Sequence, residues 1–153
     1  MTTTTKVTLV ASLATAKVTL VATEVRCRRT TTTLVNLTPH AIVLRDEAGA
    51  DHVLPPSGTV ARVQAHPGPL SDIGLPVPVA GRTQYGAVEG LPGDRVGAWD
   101  SRPEVLYIVS ALVGAAISHQ KRDDVLCPGT GPNDGAIRDE AGRIVAVTRL
   151  VRP

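Results

Sequence analysis

Asn36, Thr38 and His40 stand at alternate positions of the segment LVNLTPHAIVL, residues 34–44, where an apolar background carries an amide, a hydroxyl and an imidazole. Alternate residues of an extended strand face the same side, so the three are expected on one surface as polar contacts to a ligand. An imidazole can also serve as a general base, provided a carboxylate or nucleophile lies within hydrogen-bond reach. Asp123 and Asp124 are the acids considered for that role, in a small-hydrolase reading that ranks below the others. Pro39 has no N–H and suits a strand start, an edge or a bulge.

Other candidates sit at element ends. Ser110 follows the apolar run VLYIV and precedes ALVGAAIS, the pattern of a helix N-cap, and is a candidate anion contact beside the first helical amides. No G-x-S-x-G surrounds it, which argues against a nucleophile elbow. Thr130 lies in the loop PGTGP, where backbone amides can cradle an anion. The loop lacks the lysine of a P-loop, so nucleotide hydrolysis by that route is not expected. Arg62 and Arg138, in or beside predicted strands, carry guanidinium forks suited to a phosphate or carboxylate. Arg122 opens the cluster Arg122-Asp123-Asp124 directly after the helix. Paired aspartates can hold a cation, but adjacent side chains diverge, and the four histidines show neither HxH nor HExxH spacing. No metal, no cofactor and no catalytic residue is expected.

These residues need elements to position them. A strand is expected over Leu34–Arg45, with a turn at Asp46-Glu47-Ala48-Gly49 and a return through Asp51–Leu54. A short strand follows at Thr59–Gln64, then a Pro/Gly-rich loop over 65–76 and a strand pair within 77–90 turning at Gly81-Arg82. Val105–Val109 is the most apolar strand, Ser110 caps one short helix, and Val125–Leu126 is a further strand. A closing hairpin joins Ala136–Arg138 to Ile144–Val151 through DEAGR, and DEAG at 46–49 and 139–142 marks a recurrent Asp/Gly turn. The expected fold is a small α+β domain, a mostly antiparallel or mixed sheet with one short helix, over residues 34–153.

Residues 1–33 read differently. They hold Lys6, Lys17, Arg26, Arg28 and Arg29 against Glu24, a charge of +4, while the rest of the chain carries eleven Lys/Arg against thirteen Asp/Glu, −2. KVTLVA occurs at 6–11 and 17–22, and TTTT at 2–5 and 30–33. Two strand-like copies suggest a β-hairpin, marginal unless it packs on something. The segment is expected to be a low-complexity basic appendage, translated from an upstream start codon, whose deletion leaves a folded body.

Composition narrows the function classes. With no Phe, one Trp and two Tyr in 153 residues, the core must be aliphatic, and stacking platforms for single-stranded nucleic acid are missing. Cys27 and Cys127 show no CxxC spacing and are expected as reduced thiols in a cytoplasmic protein. No run of roughly 18 apolar residues occurs, so no membrane span is expected. A homo-oligomer with a shared pocket fits a small β-rich domain.

The ordered set LVNLTPHAIVL, LPPSGTVARV, YGAVEGLP, YIVSALVGAA, RDDVLCPGTGP and AIRDEAGRIVAVTRLV resembles a functionally uncharacterised family of small proteins from actinobacterial and phage genomes, marked by its NLTPH opening and YIVS centre. The resemblance covers residues 34–152 and leaves 1–33 outside. It implies a small accessory protein, in the host cytoplasm if phage-encoded. The leading expectation is a non-catalytic protein binding a small anionic, nucleotide-derived ligand, for example an anti-defence sponge of a host immune signal. The alternative is a virion component or an inhibitor docking on a host protein.

Overall fold

A computed structural model describes residues 22–27, 30–93 and 105–153. At its centre is a five-stranded sheet of order β1-β2-β9-β10-β13. β1 (Ala22–Cys27) pairs antiparallel with β2 (Thr30–Asn36), β2 runs parallel to β9 (Val105–Ile108), and β9 runs parallel to β10 (Val125–Pro128). β13 (Leu150–Val151) closes the far side antiparallel to β10. The architecture is α+β, strand-rich with one α-helix among the described residues.

The period of two along the parallel strands divides the apolar residues between two cores. Val35, Tyr107, Val109, Val125 and Cys127 face one side. Helix α1 (Ala111–Ile117) covers them with Val113 and Ile117, and β5 (Arg62–His66) and β8 (Gln84–Glu89) add Val63 and Val88. Leu34, Leu106, Ile108, Leu126 and Leu150 face the other side, under the hairpin of β3 (Ile42–Arg45) and β4 (Asp51–Leu54). Val147 bridges Leu44 and so attaches the hairpin of β11 (Ile137–Arg138) and β12 (Ile144–Ala146) to that second layer.

Several expectations need correction. The strand expected over Leu34–Arg45 is two strands, because residues 37–41 leave the sheet. The pair expected within 77–90 does not form. Instead β7 (Val79–Ala80) pairs with β6 (Leu70–Ser71), and β8 pairs with β5, which makes one long two-stranded arm with its tip at 72–78. The last hairpin strand also divides, since Leu150–Val151 joins the main sheet. A body starting at residue 34 would begin inside β2, whose Thr33 is already in register with Val105. The hairpin expected from the KVTLVA copies lies outside the described residues, Ala22 apart.

Candidate functional site

Parallel strands collect ligand sites outside their carboxyl ends. In this sheet the carboxyl ends of β2, β9 and β10 lead into Leu37–His40, into Ser110 with α1, and into the loop 129–135. The segment from Pro55 joins them: Ser57 N–H donates to Asn36 O at 2.9 Å and Ala61 N–H to Leu37 O at 2.8 Å. Asn36, Thr38, His40, Arg62, Ser110 and Thr130 therefore all lie at this edge. Arg122 and Arg138 do not.

Position at the edge does not make a side chain available. Asn36 is fully buried. Its amide nitrogen donates to His40 O at 2.8 Å and Leu54 O at 3.0 Å, and its oxygen accepts from Thr38 N at 2.9 Å and Thr38 Oγ1 at 2.7 Å. Thr38 Oγ1 lies 3.0 Å from His40 O as well. The expected polar face is thus a closed knot that turns the chain sharply out of β2, and Asn36 and Thr38 are corrected from ligand contacts to structural ties. His40 contributes only its carbonyl to the knot, leaving its exposed ring at the surface.

Ser110 is the N-cap, its Oγ accepting from Val113 N at 3.3 Å. The glycine loop spends its donors internally: Gly129 N–H on Arg149 O at 3.0 Å, and Gly131 N–H on the Asp134 carboxylate at 2.8 Å. Neither glycine amide is therefore open to an anion. Thr130 remains, half-buried, on an open cavity of about 300 Å³ bounded by Ala111, Gly114, Cys127, Thr130, Asp134 and Pro153. Burial pushes the Cys127 thiol above its ordinary range, against a smaller opposing effect from the backbone at Gly114. The thiol on the cavity wall is accordingly a protonated, packing group at neutral pH.

The remaining residues stand apart. Arg122 is buried, and its Nε and Nη2 donate to the two oxygens of Asp124 at 2.9 and 2.7 Å. A guanidinium so engaged is corrected from a ligand contact to an internal ion pair. Asp123 is buried beside it with Oδ1 lacking a hydrogen-bond partner, and Arg152 donates to its carbonyl at 3.0 Å. Both acids precede β10, so they lie at the amino edge of the sheet. The length of β10, roughly 13 Å at 3.3 Å per residue, separates them from the edge that carries His40, which removes the geometric basis for a His40–aspartate base. Arg138 donates to Gly142 O at 2.8 Å within its own hairpin. It belongs to the layer opposite Arg62, so the two guanidiniums do not converge on one anion.

Cys127, Asp134 and Pro153 were not legible as wall residues. The PGTGP signal placed the loop, but only the packing of α1 and the chain end beside it makes a cavity. No family model matches the chain, and no curated protein or solved structure matches it either. No helix among the described residues is long and apolar enough to cross a membrane.

Proposed function

We propose that this chain is a non-catalytic accessory protein that holds a small anionic ligand of nucleotide type at the carboxyl edge of its parallel strands. The observation that carries the reading is the cavity between α1 and the loop 129–135. Its volume is at the lower end for small-molecule pockets, and it is apolar with few polar groups, as such pockets are. The apolar body of a ligand rests on Ala111, Gly114 and Cys127, with Thr130 and Asp134 for its polar contacts. Arg62, exposed at this edge, supplies the positive charge for an anionic group. Together with the resemblance to phage proteins, this favours sequestration of a host signalling nucleotide.

Native mass spectrometry of the purified protein, with mass analysis of what denaturation releases, tests the reading. A released nucleotide-like mass is expected, lost on Thr130→Trp, which fills the cavity. An apo mass from cells that contain such nucleotides would overturn it.

A second reading has its own observation. The β5–β8 arm exposes Leu70, Ile73, Leu75 and Val77 by more than half each, and soluble monomers rarely display so much apolar surface. This favours an interaction or virion component. A stable protein complex with no small molecule in it would support that reading instead.

A further inference from the structure

The arm and the cavity answer each other. From Gln64 to Ala87 every residue is exposed except Gly68, so this stretch has no core of its own. A free two-stranded hairpin is marginal in water, yet the arm is closely specified. A β-carbon at Gly68 would collide with the Arg82 carbonyl, and Gly81 N–H donates to Pro69 O at 2.9 Å, so the two strands touch backbone to backbone at a waist. Beyond it the tip carries Leu70, Ile73, Leu75, Val77 and Val79, exposed by 68, 65, 54, 65 and 40 %. Pro76 and Pro78 bring no N–H, which makes the tip a poor template for an added strand. It is suited to docking through side chains.

Its complement lies on the same molecule. α1, β5 and β8 cover one face of the sheet, and the cavity opens where that layer stops, beside Cys127 and Val151. The charges match as well. Asp72 is the only charged residue between Pro67 and Gly81. At the cavity rim the stem of Arg149 crosses Gly129, and this exposed guanidinium makes no ion pair among the described residues.

We propose that the apolar tip of the arm of a second copy of this chain seats over the cavity beside α1, with Asp72 against Arg149, so that the ligand site gains its outer wall only in a dimer. The arrangement is reciprocal, each arm entering the other copy's cavity, as two-fold symmetry requires. The inference rests on the cavity being the ligand site, but its test reads oligomeric state separately from ligand.

Sedimentation of the full chain across low to high micromolar concentration is the measurement. Wild type is expected as a dimer. Leu75→Asp with Val77→Asp, at the exposed tip, and Ala115→Arg, on the cavity wall, are each expected to give monomers with unchanged circular dichroism. Mixing the two variants restores one intact arm and one intact cavity, and is expected to regenerate a dimer. A wild type that stays monomeric, a dimer that survives the arm variant or Ala115→Arg, or a mixture that stays monomeric would overturn the proposal. Ligand mass is read from the same samples. Ligand held by a monomeric wild type overturns this inference alone, whereas a dimer carrying none overturns the ligand reading while the docking stands.

Discussion

Replacing Asn36 by alanine strands the Thr38 N–H and the Leu54 carbonyl in a site that water does not reach. Each buried group left unpaired costs about 1–3 kcal/mol, so Asn36→Ala is expected to lower stability by about 3 kcal/mol in urea unfolding. Thr38→Val removes the hydroxyl alone and is expected to cost about 1 kcal/mol. Because both act on one network, the double variant should cost less than the sum. Arg122→Met leaves the Asp124 side chain buried and without its guanidinium partner, a change expected to cost about 3–5 kcal/mol. Surface acids set the pH response. Hydrogen bonding from His52, then from the backbone at Ala50, holds Asp46 below the usual carboxylate range. Hydrogen bonding from Arg45 does the same for Asp51. Carboxyls lowered by folding contribute stability above their unfolded pKa and lose it as pH falls through the lowered folded values. Thermal unfolding followed down in pH should therefore show a small acid-side loss that Asp51→Asn reduces, small because both pairs are exposed.

Glycine in a helix normally costs about 1 kcal/mol relative to alanine, so Gly114 in α1 reads as a defect until its surroundings are counted. A β-carbon there would collide with Cys127 Sγ and come within 3.1 Å of Pro153 Cβ. Gly114→Ala is expected to destabilise despite its better helix propensity, and Cys127→Ala in the same chain is expected to recover part of the loss in thermal unfolding. Nothing in the segment ALVGAAIS announces this, since Cys127 comes from β10 and Pro153 from the chain end. Elements that depend on neighbouring residues were legible. The return strand Asp51–Leu54 and the Ser110 cap occur where the sequence puts them. Both DEAG turns also form, with Asp46 Oδ1 accepting from Ala48 and Ala50 N–H, and Asp139 Oδ1 from Ala141 and Arg143 N–H. Gly49 and Gly142 take positive φ of 83° and 78° in those turns. What failed was partner choice. Alternation puts extended chain at 59–64 and within 77–90 but does not show that 62–66 and 84–89 pair across a 17-residue arm, and it cannot show that an amide in NLTPH turns inward to bind its own chain. The candidate site suffered most, because a polar residue in an apolar run looks the same whether it serves a ligand or a backbone carbonyl.

At the scale of the whole molecule, the two cores among the described side chains are built from residues beyond 33, so a chain lacking 1–33 is expected to fold. It would nevertheless lose β1 and the first half of β2, and present β2 as a bare edge beside β9. Unprotected edges recruit other strands, so this truncation is expected to associate on size exclusion and to unfold at lower urea than a chain that starts at residue 22. The same topology has a consequence for synthesis. Val105, the register partner of Thr33, leaves the ribosome about 70 residues later, which at about 5–20 residues per second is about 4–14 s. β1 precedes β2 in the chain and pairs with it along its whole length, from Ala22 with Val35 to Cys27 with Thr30. During those seconds the hairpin can form in microseconds, holding Thr30–Asn36 extended and one edge occupied. β1 thereby acts as a timing device, keeping β2 available to a partner that does not yet exist.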